Sequence, residues 1–133
     1  MTAHRPKDPG QWDIDTLIES VGALDDKARA GALSVLAHHL TVETRILLSD
    51  PPFDDATLAR VRAVNEFEHH LTSRLHPDGR RSPEGDISLL NDIAVDAERS
   101  GLTAAIKRGL VIAVRNAIGS NKGREQQRSV AAY

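Results

Sequence analysis

Apolar residues recur at helical spacing in five stretches of the chain, and each stretch follows a residue that can cap a helix. Leu17, Ile18, Val21 and Leu24 give the first a single apolar side, with Asp13 or Asp15 as its cap and Gly22 as its stop. The second starts at Asp25 or Asp26 and runs to about Leu48. It carries two stripes: Leu33, Leu36, Ala37, Leu40 and Leu47 on one side, and Val35, Val42 and Ile46 nearly opposite. A helix apolar on two sides is expected to be covered on two sides, by its own bundle or by a second copy of the chain. His38, Thr41 and Arg45 fall on one edge between these stripes, and His39 and Glu43 on the other.

Asp50-Pro51-Pro52 ends that helix, because proline lacks the amide donor and disfavours helical geometry in the residue before it. Asp54 then caps a third helix to about Leu75, with Val61, Val64, Phe67, Leu71 and Leu75 as its core stripe. His76-Pro77-Asp78-Gly79 stops it with turn chemistry. Ser82-Pro83-Glu84 starts a fourth, with a cap, a proline at the first helical position and an acid in the first turn. Its buried set is Ile87, Leu90, Ile93, Ala94 and Ala97, and Gly101 followed by Leu102 closes it. Thr103 caps a fifth to about Ile118, ended by Gly119. There Ala105, Gly109, Ala113 and Ala117 recur every fourth residue, a row on which another helix can lie closely. Leu110, Val111, Ile112 and Val114 make this helix apolar nearly all round. No stretch alternates as a half-buried strand does.

The pattern therefore predicts an all-α fold, an antiparallel helical bundle of four main helices plus a short N-terminal helix. Residues 1–12 read as an extended N-terminal arm, 13–119 as a single bundle domain, and 120–133, with Lys122, Arg124 and Arg128, as a polar C-terminal tail.

Composition narrows the function classes. The 133 residues suit one domain with its own core. Aromatic residues are 3% of the chain, so a pocket that stacks bases or sugars is not expected. The formal net charge is -2, which disfavours nucleic acid as a partner, and the fifth helix is too apolar for a DNA groove. Gly79-Arg80-Arg81 reads as a solvated basic loop, and Arg99, Lys107, Arg108 and Arg115 as partners of Asp92, Asp96 and Glu98. There is no cysteine, which removes thiol chemistry and cysteine-type zinc sites. The N-terminus has no apolar segment of the secretory kind, and no run reaches the roughly 18 apolar residues of a membrane span. A cytoplasmic protein is expected.

Candidate chemistry gathers at a repeat. His38-His39-Leu40-Thr41 returns as His69-His70-Leu71-Thr72, and the echo extends upstream: Ala28-Arg29 matches Ala59-Arg60, Ala32 matches Ala63, and Leu33 and Leu36 become Val64 and Phe67. If the second and third helices pair about Pro51-Pro52, His38 comes level with Glu66, which also has His69 and His70 three and four residues on. The expected cluster is His38, Thr41, Glu66, His69 and His70, with Glu66 as the hub. No residue of it is assigned to catalysis. An alternative uses the Glu66-x-x-His69 spacing, which di-iron bundles also use, with His39 and Glu43 as further ligands of an iron or zinc ion. Such sites need two copies of the motif and the chain has one. On this reading the default is a protein without a cofactor.

Ala37-His38-His39-Leu40 also resembles the histidine-bearing helix of two-component phosphotransfer domains, with His38 at the position of the phosphoacceptor. The lysine and glycine that follow in those domains are Thr41 and Val42 here, and the proline of the kinase version is Glu43. Leu40-Thr41-Val42-x-x-Arg45 with Asn65-Glu66-x-x-His69 resembles small α-helical bacterial proteins whose activity is not known, so the resemblance implies no function. The leading expectation is a non-enzymatic helical protein that self-associates, as a homodimer made through the fifth helix or the second stripe of the second, or that binds another protein.

Overall fold

The structure, a computed structural model, describes residues 8–49, 51, 53–76 and 81–131, with side chains described as far as residue 119. Five α-helices pack together: α1 (Ile14–Gly22), α2 (Asp26–Leu47), α3 (Asp55–Arg74), α4 (Pro83–Arg99) and α5 (Thr103–Ala131). Among the described residues there is no strand.

The helix starts follow from capping. Asp13, Asp25 and Asp54 accept the amides of Thr16, Ala28 and Thr57 at 2.7–2.8 Å, and Ser82 accepts that of Gly85 at 3.0 Å. Each bond satisfies an amide that the first turn leaves without a helical partner. The α4–α5 corner is set by Gly101, whose φ of 69° is open to glycine and strained for other residues. The Gly101 amide then reaches Glu98 O at 3.4 Å and the Leu102 amide reaches Ala97 O at 2.7 Å, with Leu102 and Ala97 both in the core.

α2 lies along α3 on one side and α5 on the other, and α1 packs on α4 and α5. Leu33, Leu36 and Leu40 of α2, Val64, Phe67 and Leu71 of α3, Leu90 and Ile93 of α4, and Ile106 and Leu110 of α5 fill the shared interior. The internal repeat is a repeat of core positions: Leu33 and Val64, Leu36 and Phe67, and Leu40 and Leu71 are all buried. The small-residue row of α5 is where α2 approaches. A Cβ at Gly109 would lie 2.6 Å from Leu36 Cδ1 and 3.0 Å from the His39 ring.

Three features differ from the sequence reading. Residues 9–11 are not extended; they form a 3₁₀ turn on α5. Trp12 is buried behind that turn, and Asp8 accepts from Arg115 Nη2 at 2.6 Å. The one tryptophan supplies the reason, since its large ring is more stable out of water. Residues 1–7 of the expected arm, Asp50 and Pro52 of the expected α2 stop, and residues 77–79 of the expected turn lie outside the described residues. Second, α5 does not stop at Gly119 but continues to Ala131. A glycine inside a helix costs only about 1 kcal/mol, and the Lys, Arg, Glu and Gln residues that follow are good helix formers. The side chains of the basic tail lie outside the described residues. Third, of the expected charge pairs only Arg99 with Asp96 forms, at 4.0 Å, whereas Arg108 and Arg115 pair with Glu43 and Asp8. No helix among the described residues is long and apolar enough to cross a membrane.

Candidate functional site

The expected polar cluster falls on faces that the core stripes leave in water. The burial of Val64, Phe67 and Leu71 turns Glu66, His69 and His70 outward, and all three are exposed, as is His38 on α2. No hydrogen bond or ion pair among the described residues joins Glu66 to His38, His69 or His70, so the hub is not formed. The physical reason is weak return: a carboxylate and an imidazole that keep their water gain about 1 kcal/mol or less by pairing. Thr41 satisfies its hydroxyl locally, donating to Ala37 O at 3.3 Å. The His69 and His70 rings lie 6.1 Å apart, centre to centre, as sequence neighbours do, and His70 borders a groove between α3 and α4 with Asp92 and Asp96.

On the other edge of α2 the structure brings His39 and Glu43 together. Glu43 is buried and accepts from Arg108 Nη2 at 2.9 Å, so its carboxylate ties α2 to α5. His39 Nε2 lies 3.4 Å from the same oxygen and is buried without a hydrogen-bond partner among the described residues. The metal alternative needed His39 and Glu43 to converge with Glu66 and His69. Those two lie on the exposed face of α3, and no group of three His, Asp or Glu side chains among the described residues could hold a metal ion.

The densest polar site lies elsewhere. Asp86, in the first turns of α4, is 0% exposed, and Arg29, near the start of α2, is 1% exposed. Arg29 donates from Nε to Asp86 Oδ2 at 2.5 Å, from Nη1 to Leu24 O at 3.0 Å and from Nη2 to Asp26 Oδ1 at 2.6 Å. Arg74, at the end of α3, donates from Nε to the other Asp86 oxygen. Its guanidinium crosses the face of Gly85, where a Cβ would lie 2.2 Å from Nη2, so any larger residue would displace it. Arg81 is drawn in as well, against the expectation of a solvated basic loop. Its Nε is 3.7 Å from Asp86 Oδ2 and its Nη2 donates to Asp26 O at 3.1 Å. Gly79 and Arg80 of that loop lie outside the described residues.

Burial by itself would push the Asp86 carboxyl up, but the hydrogen bonds and charges of Arg29 and Arg74 outweigh it and hold the group below the usual carboxylate value. Burial likewise works against the Arg29 charge, and the hydrogen bonds it donates to Asp86 and Asp26 reverse the effect and raise its pKa. The site is thus a buried carboxylate kept ionised by arginines from α2 and α3, with a third arginine, from the segment leading into α4, beside it.

A sequence signal for this site exists. Asp86 stands at the spacing of Leu90, Ile93 and Ala97, four, seven and eleven residues on. Arg29 stands in the same relation to Leu33, Leu36 and Leu40, and Arg74 extends the line of Val64, Phe67 and Leu71. Each charged residue continues the apolar stripe of its own helix, and the three stripe ends meet.

No protein-family model matches the chain, and comparisons with curated proteins and with solved structures give no match.

Proposed function

We propose that the protein acts by association, as a non-enzymatic cytoplasmic homodimer that pairs through the α2–α3 corner. The observation that carries the reading is a concentration of exposed apolar side chains there: Ile46, Leu48, Phe53 and Leu58, between 40% and 57% exposed, all within one short stretch of chain. Large apolar groups gathered at one surface favour removal from water, and such patches mark association sites. A second copy is the occupant we infer, because the rim carries both signs. Arg45 is exposed on the α2 side and Asp54 and Asp55 on the α3 side, so a two-fold axis through the corner would set each arginine against the partner's acids. A rim of one sign would repel its own copy. The patch is small, so the dimer is expected to be weak, with a Kd on the order of 10 µM.

The finer architecture belongs to this proposal: an antiparallel bundle of four main helices with the short α1 beside it. The expected dimer surface is thereby narrowed. Val35 and Val42 of the second α2 stripe are half-buried and only its end, Ile46, is well exposed, while Leu110, Val111 and Val114 of α5 are used in the chain's own core and Ile112 is 43% exposed. Light scattering tests the reading. At concentrations well above the Kd the wild type should weigh as a dimer, and the double variant Ile46→Asp/Leu58→Asp should weigh as a monomer with unchanged helical circular dichroism. A wild type that stays monomeric removes the proposal.

A second reading rests on His38, which is exposed on α2 as a phosphoacceptor must be. Incubation with a small phosphodonor should then label the wild type and not His38→Gln. Absence of label on the wild type removes this reading.

A further inference from the structure

Among the described residues, the arginine cluster around Asp86 carries more positive charge than its surroundings balance. Arg29, Arg74 and Arg81 expose 1%, 24% and 18% of their side chains, and the one carboxylate they share is fully buried. Asp26 adds a second carboxylate, but it is 87% exposed, touches only Arg29, and is screened by water. Glu84 in the first turn of α4 is exposed and pairs with none of the three. Arginine does not lose its proton in a protein, so the cluster cannot relieve the excess by neutralising itself. The start of α4 adds the partial positive end of its helix dipole. Excess charge in a partly buried cluster is costly unless a counter-charge meets it.

Hydrogen bonding identifies where the counter-charge is missing. Asp86 is used up: one oxygen takes Arg74, and the other takes Arg29 with Arg81 at a longer distance. Arg29 uses each of its three side-chain nitrogens once, on Asp86, Leu24 and Asp26. Arg74 and Arg81 do not. Among the described residues Arg74 donates only from Nε, and Arg81 only from Nη2, to a neutral backbone carbonyl. Arg81 Nε is buried and has no hydrogen-bond partner among the described residues. Two guanidiniums therefore approach the two oxygens of one carboxylate, each partly exposed and each with donor groups to spare among the described residues.

We propose that Arg74 and Arg81 form a binding site for a phosphate group, free or as a phosphomonoester, at the corner between α3 and α4. A guanidinium offers paired N–H groups in the plane that matches two oxygens of an oxyanion. A dianion also suits the charge, since three arginines face one buried carboxylate. Asp86 acts here as a positioning residue: it engages Arg74 through Nε and holds Arg81 nearby, which leaves the outer N–H groups for the ligand. Gly85 serves the same end by leaving room for the Arg74 guanidinium.

The test is a phosphate titration of the full chain, followed by calorimetry and by the arginine Nε–H signals in NMR, against sodium chloride of equal ionic strength. Saturable binding of inorganic phosphate, with shifts of the Arg74 and Arg81 signals that chloride does not produce, is the expected result. Arg81→Gln should weaken phosphate binding by about tenfold or more, since a charge-assisted pair is lost. It should leave the fold intact, because Arg81 makes only one hydrogen bond to the described protein. Phosphoserine serves as a second probe: tighter binding than inorganic phosphate assigns a phosphomonoester, and weaker binding assigns the free ion. A phosphate response no larger than that of chloride, or equal binding by Arg81→Gln, overturns the site. Asp78 lies nearby in sequence and outside the described residues, so Asp78→Asn is the remaining arm. Binding that appears only in that variant would mean that the protein supplies its own counter-charge, and it too overturns the proposal.

Discussion

Replacing Asp86 with alanine should lower the stability of the fold by about 3–5 kcal/mol, measured by urea unfolding with circular dichroism. The magnitude comes from what the change leaves behind. Arg29 is fully buried, and without Asp86 its Nε loses its acceptor and its charge loses its nearest counter-charge. Arg74 and Arg81 lose the group that gathers them. The same site gives a pH dependence. The Asp86 carboxyl is held below its ordinary value in the folded protein, so its contribution is fully present above the unfolded value of about 3.9 and is lost as pH falls through the folded value. The wild type should therefore lose stability on acidification below about pH 4 more steeply than Asp86→Ala, which no longer has this proton to take up. Equal acid sensitivity of the two proteins would show that Asp86 is not the group concerned.

Leu40→Ala is expected to cost about 2–5 kcal/mol in the same measurement. Leu40 is 0% exposed and lies on the helix that α3 and α5 both cover, so a shortened side chain leaves a cavity that neither neighbour can close without moving. Substituting Ile46 on the same helix should change unfolding by less than about 0.5 kcal/mol, because that side chain already stands in water. The contrast separates the two apolar stripes of α2. One holds the fold, and the end of the other is free to meet a partner. A cost at Leu40 below about 1 kcal/mol would mean that α2 is not the central helix.

The starts of α1 to α4 were legible because their signals are local, whereas Thr103, the expected cap of α5, is its first helical residue. Asp13, Asp25, Asp54 and Ser82 each act on an amide three residues away, and Gly101 needs only its own φ and the next residue. The α5 boundary was less legible, because a glycine in a run of good helix formers is a small obstacle rather than a stop, and the helix continues past Gly119. The fate of the edge residues could not be read from spacing. His38 and Glu66 can be brought level by a hairpin, but whether they meet depends on how far α2 and α3 rotate about their axes, and the core stripes settle that rotation. Asp86 is the opposite case: its position at core spacing ahead of Leu90 and Ile93 marks a buried carboxylate, and Arg29 ahead of Leu33 and Leu36 marks its partner. Seen only as an acid in a helix's first turns, Asp86 looks like a charge that favours the helix start and nothing more. A charged residue on an apolar stripe carries more information than a pair of polar residues beside one.

The reading that the α2–α3 corner is the surface through which two copies meet is tested most directly by cysteine cross-linking, for which a chain without native cysteine is well suited. Leu48→Cys places one thiol inside the exposed apolar corner, and Ser88→Cys places one on the exposed face of α4. Under mild oxidation Leu48→Cys should form a disulfide-linked dimer in high yield, and Ser88→Cys should remain monomeric. Equal yields from the two variants, or a covalent dimer from Ser88→Cys alone, would contradict it.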